Sequence, residues 1–299
     1  MKSCKSFIDD ILNKILKTNG IEYGIYCDTD SVYVDVQKIV DLHCQGKTDQ
    51  EIVTFLEKFV FSVVQPELNK RLKALSQTMG IDDCKISFKL ECIGPSLIML
   101  AKKRYLFDIL YSEGVRYQEP KMKVMGVEIV RSNTPSVVKE YLIGAAKICL
   151  RGTESELQVY AKDIEVKFGK LHYTEMSIPK GVNGMSTYKS DSSIYGFKTP
   201  MHVKGSLLYN HYLTVNKLDV KYPLIKDGDK IKYIMLNKKN PIREPVIAFH
   251  DKLPPELDLV KYINYGEQYD KVFVRPLESI LAAMKWNMKE QVNTDCWFE

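Results

Sequence analysis

The sequence predicts an α+β fold in which strands gather in the first 126 residues and helices dominate the remainder. Three observations carry this expectation. Segments 21–26 and 32–36 are β-branched and aromatic runs that meet at a short polar turn. Segments 97–100, 105–111 and 115–124 repeat that composition further along. Apolar residues spaced three and four apart mark helices over 5–17, 49–79, 132–150, 154–168 and 202–216.

Length and composition bound the problem. A chain of 299 residues, 45% hydrophobic and 27% charged, has room for one or two buried cores and the makeup of a soluble globular protein. No apolar run reaches the roughly 18 residues a membrane span needs, and Asp9 and Asp10 interrupt any secretory segment. Seven cysteines without paired spacing fit a reducing compartment, and fit neither a disulfide framework nor a zinc site. Residues 1–84 carry 10 Lys and Arg against 13 Asp and Glu. Residues 85–131 carry 9 against 5, and the rest 24 against 20. An acidic head and a basic remainder suit a chain that holds cations at one end and phosphates at the other.

Taken in order, helix 5–17 presents Phe7, Ile8, Ile11, Leu12, Ile15 and Leu16 and stops at Asn19-Gly20. Its apolar face is expected to pack on structure outside this chain. A hairpin follows. Helix 49–79 places Ile52, Phe55, Leu56, Phe59, Val60 and Val63 on one face, with a kink expected at Pro66 and an end at Gly80. Segment 85–93 alternates as a strand, Ile86, Phe88 and Leu90 on one side. A second hairpin turns at Lys102-Lys103-Arg104, and strand 115–124 ends at Gly126. Ser132-Asn133-Thr134-Pro135 is expected to cap the next helix, and Gly152-Thr153 starts 154–168. Segment 173–199 reads as loop, 202–216 as helix with His202 capping it or meeting phosphate, 231–236 and 245–249 as a small hairpin, and 260–284 as partly helical.

The chemistry centres on Tyr26-Cys27-Asp28-Thr29-Asp30-Ser31. Residues two apart in an extended chain project to one side, so Asp28 and Asp30 can face a single point. Two carboxylates at a hairpin tip suit a hard divalent cation. Such a tetrapeptide is also a common turn, since Asp and Ser bond back to their own backbone. An EF-hand loop is excluded, because the position needing Gly holds Tyr33 and that needing Glu holds Ile39. The motif is also similar to the first motif of dehalogenase-type phosphatases, whose nucleophilic Asp ends a parallel strand. A second strand directly after Val32 would remove that alternative.

The acidic turn followed by Lys103-Arg104-Tyr105 resembles the Tyr-x-Asp-Thr-Asp-Ser and Lys-x-Tyr motifs of family B DNA polymerases, of the kind found in T-even-like bacteriophages. Cys27 stands where that family usually has Gly. The likeness continues through Glu119-Pro120-Lys121-Met122-Lys123, Ser132-Asn133-Thr134-Pro135, His202-Val203-Lys204-Gly205 and Phe273-Val274-Arg275-Pro276 to the aromatic C-terminus. The resemblance implies the C-terminal half of a palm over 1–126, an antiparallel sheet backed by helices, and a mainly helical thumb over 127–299. The family's first palm motif and fingers helix have no counterpart here. A split polymerase follows as the expectation: template-directed nucleotidyl transfer on two shared Mg2+ ions, with a partner polypeptide supplying exonuclease, fingers and the first palm motif. Residues 1–20 and the back of the hairpin are expected at the junction with that partner.

By the same resemblance, Asp30 ligates both ions, Asp28 acts through water, Ser31 supports the turn and Glu91 lies near the site. Lys103 and Tyr105 meet the primer in the minor groove, Lys102 and Arg104 serve phosphates or structure, and Lys121, Lys123 and Lys204 contact the primer-side backbone. Trp297 and Phe298 dock on a sliding clamp. The remaining partners are primer–template DNA and deoxynucleoside triphosphates, with no membrane, in the cytoplasm of an infected bacterial host. A non-catalytic subunit that grips duplex DNA and recruits the clamp is the alternative.

Overall fold

In the computed structural model, which describes residues 2–81, 85–189 and 193–288, helix α1 (Lys2–Ile15) buries Cys4, Ile8, Ile11 and Leu12. They pack with Tyr23, Ile39, Leu56, Leu68 and Leu72, and Leu12 is 1% exposed. Most of the apolar face expected to await structure outside the chain is therefore covered by the chain itself, through α4 (Gln65–Thr78) and β1 (Gly24–Asp28), while Ile15 stays 37% exposed. The junction expected at residues 1–20 is not left open there. The chain divides into two units, Met1–Gly126 and Val127–Glu299.

In the first unit, β1 and β2 (Ser31–Val34) form an antiparallel hairpin with Asp28 opposite Ser31. A strand thus follows Val32, which removes the phosphatase alternative. Helix α2 (Gln37–His43), which the sequence does not announce, is two turns long and buries only Ile39, too little to show a period. Helix α3 (Asp49–Phe59) starts at a Thr48–Glu51 capping box. It runs into α4 through a π-helical segment at Val60–Val64, immediately before Gln65-Pro66. Proline lacks an N–H and its ring collides with the carbonyl four residues back. The wider π turn makes room for it, and the expected kink is accommodated within continuous helix.

The expected strand over 85–93 shrinks to β3 (Cys92–Ile93). Alternation makes the chain extended, but a strand also needs a ladder partner. Here the Phe88 carbonyl accepts from the Gln65 side-chain amide at 2.7 Å, and the Glu91 carbonyl accepts from the Glu113 N–H at 2.8 Å. Ile86 is 63% exposed. Strand β5 (Arg104–Ser112) is the spine of the sheet, with β4 (Ser96–Ala101) and β3 along one edge and β6 (Val115–Met125) along the other.

In the second unit, α5 (Ser136–Arg151) has Pro135 at its N-cap and no side-chain cap, so the predicted Ser-Asn-Thr cap is not made. Helix α6 (Glu154–Phe168) begins at a Thr153–Glu156 capping box and buries Leu157, Ala161, Ile164 and Phe168. The segment expected as loop contains α7 (Tyr173–Met176), β7 (Ile178–Gly181) and a 3-10 turn at Met185–Tyr188. Pro179 and Gly181 dilute the β signal of its strand. β7 pairs with β8 (Lys230–Met235), which pairs with β9 (Val246–Phe249), and α8 (Met201–Val215) packs on β9. Helix α9 (Tyr265–Tyr269) continues through a second π segment, Asp270–Val274, into α10 (Arg275–Met284), again just before a proline, Pro276. Buried Gln268 ties this helix to the sheet, donating to the Met176 carbonyl at 2.7 Å and accepting from the Met235 N–H at 3.1 Å. Among the described residues, no helix is long and apolar enough to cross a membrane.

Candidate functional site

Helix α1 fixes where the acidic hairpin begins. Asp9 Oδ1 accepts from the N–H groups of Tyr23 and Gly24, both at 2.7 Å. Its other oxygen meets Lys5 Nζ at 3.0 Å, and Lys5 also reaches Glu22 at 2.8 Å. From that anchor β1 runs to Asp28, the Thr29-Asp30 turn reverses the chain, and Ser31 opens β2. Asp28 is half-buried and Asp30 is exposed. Asp28 Oδ1 accepts from the Thr29 N–H at 2.9 Å and the Thr29 hydroxyl at 3.2 Å, and Lys103 Nζ lies 3.9 Å from Oδ2. Desolvation pushes the Asp28 carboxyl upward. The Thr29 amide, Lys103, the Thr29 hydroxyl and Lys102 outweigh it and hold the group below the usual carboxylate range.

The basic turn lies against this hairpin. Lys102 and Lys103 form the two-residue turn between β4 and β5, and Arg104 is already on β5. Lys103 adopts a left-handed backbone, φ 59°, uncommon for a residue with a Cβ. Its N–H donates to the Tyr26 hydroxyl at 3.0 Å. The Tyr33 hydroxyl donates to that of Tyr105 at 2.9 Å, and the rings of Tyr26, Tyr33 and Tyr105 follow one another at centroid separations of 5.5 and 5.6 Å. Burial, and then the bond to Tyr105, push the Tyr33 hydroxyl well above its ordinary pKa. Arg104 Nε donates to the Gly126 carbonyl at 3.3 Å.

A cleft of about 640 Å³ opens in the same unit. Val32, Val34, Ile52, Phe59, Phe88 and Leu97 contribute to its apolar wall, and Asp30, Ser31, Glu91 and Lys123 also line it. Glu91 Oε1 stands 3.7 Å from Lys123 Nζ. Lys121 shares the strand face of Lys123, and its ammonium lies 5.4 Å from the Tyr117 ring centroid.

Lys204 belongs to the second unit, on α8, and is 15% exposed. Its ammonium lies 2.8 Å from Glu244 and 4.3 Å from the Tyr195 ring centroid, while the Tyr195 hydroxyl donates to Glu244 at 2.7 Å. Burial pulls its pKa down, but Glu244 and Tyr195 outweigh that and raise it. The cation predicted to meet DNA phosphate is thus already paired. His202 does not cap α8, whose N-cap is Pro200 without a side-chain bond. Burial and then Lys180 lower its pKa, which disfavours the charged form a phosphate contact would use. Trp297 and Phe298 lie outside the described residues.

Asp28 and Asp30 supply hard oxygen donors of the kind magnesium takes. Among the described residues, no three His, Cys, Asp or Glu side chains come together as a metal group. The pair therefore fits as part of a ligand set that needs further oxygens. From the sequence alone no supporting role falls to Asp9, to Tyr33 or to Tyr26, the last standing only as the start of the acidic motif. Tyr26 and Tyr33 carried a signal, flanking the acidic turn on both strands; Asp9 carried none, because the two amides it holds lie 14 and 15 residues away along the chain. Asp108 is fully buried in β5, with no signal in the sequence that marks it.

The family described as divergent Family B DNA polymerase matches residues 15–183. The DNA-directed DNA polymerase of Enterobacteria phage T4 is 29% identical over 305 residues, covering 97% of this chain and 33% of the phage protein. That of Escherichia phage RB69 is 29% identical over 301 residues, covering 96% and 33%. The chain spans about a third of the length of these relatives. With the acidic turn and the lysine turn both inside a match to more than half of its residues, the chain belongs to the divergent family B DNA polymerases.

Proposed function

We propose that this chain is the C-terminal part of a DNA-directed DNA polymerase, its first unit half of a palm and its second a thumb. It acts in phage DNA replication within the infected host cell. The observation that carries this reading is the Asp28–Asp30 turn with the Lys102-Lys103 turn set against it, Lys103 Nζ 3.9 Å from Asp28. Opposite charges so placed can serve the two ends of one reaction, a polyphosphate with its cations and the primer strand. Asp30, exposed at the turn, and Asp28 behind it hold magnesium together with oxygens from elsewhere. The ions supply charge neutralisation for the phosphoryl groups and lower the pKa of the attacking hydroxyl.

The chain's own groups orient the reactants. Lys103 and Tyr105 face the primer end, and Lys121 and Lys123 line the strand that follows its backbone. The missing carboxylate, the fingers and the exonuclease come from a polypeptide segment outside residues 1–299. Its palm portion occupies the apolar cleft beside Asp30, a surface costly to leave in water, rather than the face of α1. The C-terminal aromatics tether a sliding clamp.

Duplex binding tests this reading. The isolated chain is expected to bind primer–template DNA without sequence preference, with log affinity falling against log salt at a slope of about −0.9 per phosphate neutralised. Lys121→Ala and Lys123→Ala should each flatten the slope by about one unit on every sequence tested. Lys204→Ala should leave the slope unchanged, because that ammonium is held by Glu244. Fluorescence anisotropy across a salt series gives the slopes. Binding that ignores salt, or favours one sequence, contradicts the proposal.

A further inference from the structure

The Lys102-Lys103 turn is held in a costly shape from two directions. Lys103 has φ 59°, a region disfavoured for residues with a Cβ, and such strain persists only where surroundings enforce it. On one side its N–H is taken by the Tyr26 hydroxyl at 3.0 Å. On the other, its carbonyl abuts Gly126, where an added Cβ would lie 2.3 Å from the Lys103 oxygen. Tyr26 belongs to β1, two residues before Asp28, so the bond joins the acidic hairpin directly to the basic turn. Tyr33, opposite Tyr26 in the hairpin, makes the second link. Because Tyr33 donates to the Tyr105 oxygen, the proton of Tyr105 is left to point elsewhere.

We propose that Tyr26 and Tyr33 are positioning residues that lock the basic turn and the Tyr105 hydroxyl onto the acidic hairpin. The carboxylates and the primer-side contacts then move as one piece. Tyr26 sets the direction in which Lys103 projects. Tyr33 orients Tyr105 as a donor, the role needed to meet the acceptors that every base pair presents in the minor groove. The inference rests on the function proposed above.

The test uses the full chain and its Tyr26→Phe and Tyr33→Phe variants, which keep the rings and remove one hydroxyl each. Amide hydrogen exchange is followed at Lys103 and, as a control for general loosening, at Leu106 and Ile109 in β5. Tyr26→Phe is expected to speed exchange at Lys103 by about tenfold or more while the two control amides stay as in the wild type. In anisotropy with a primer–template duplex, the wild type should lose severalfold affinity when the primer-terminal adenine is replaced by 3-deazaadenine, which lacks the minor-groove acceptor. Tyr33→Phe should bind both duplexes alike. Unchanged exchange at Lys103 in Tyr26→Phe, or equal acceleration at the control amides, overturns the positioning role of Tyr26. Retained discrimination in Tyr33→Phe overturns that of Tyr33. A wild-type chain that binds no duplex, with Lys103 exchange responding as expected, overturns the polymerase reading and upholds the lock between the turns.

Discussion

Asp30→Ala is expected to lower nucleotide incorporation by the assembled polymerase at least about a thousandfold, and Asp28→Ala by markedly less. The scale is that of removing a charged group aimed at the charge that develops in phosphoryl transfer. The difference between the two residues follows from their surroundings. Asp28 has one oxygen bound by the Thr29 amide and hydroxyl and the other beside Lys103. Asp30 is exposed and lines the apolar cleft of the first unit. Its carboxylate is available for direct ligation, and the Asp28 carboxylate is already engaged in shaping the turn. Single-turnover incorporation measured for each variant decides the matter, and equal losses would contradict the division of roles. Wild-type incorporation by Asp30→Ala would instead favour the non-catalytic DNA-binding subunit.

Asp9→Ala is expected to destabilise the acidic hairpin by about 2–4 kcal/mol, the scale of leaving two partly buried N–H groups without an acceptor. Asp9 Oδ1 serves both Tyr23 and Gly24, the residues from which β1 departs. Asp9→Asn keeps an acceptor oxygen and gives up only the ion pair with Lys5, so its cost should stay within about 1 kcal/mol. Hydrogen exchange at the Tyr23 and Gly24 amides reads the effect locally. Full protection of both amides in Asp9→Ala would show that the hairpin is anchored by other means.

Much of this organisation was legible in the sequence because it depends on near neighbours. The acidic hairpin, the lysine turn, β6 and helix α6 follow from alternation and helical periodicity. What was not legible depends on distant parts of the chain. The alternation over 85–91 gave an extended segment, but no sequence rule shows that its carbonyls go to Gln65 and Glu113. The face of α1 looked unpartnered because α4, which covers it, begins some fifty residues later. Lys204 looked like a free cation, and only the fold places Glu244 and Tyr195 beside it. At the candidate site, the residues expected to act were visible as a motif. Those that hold them, Asp9, Tyr26 and Tyr33, look like ordinary helix and strand residues until their partners are known.

The central claim is that these residues are part of a polymerase site completed by chain from outside residues 1–299. Primer extension by the purified 299-residue chain, alone and mixed with a polypeptide supplying the first palm motif and fingers, tests it most directly. The account predicts no incorporation by the chain alone, incorporation by the mixture, and its loss when the chain carries Asp30→Ala. Robust incorporation by the chain alone would contradict it.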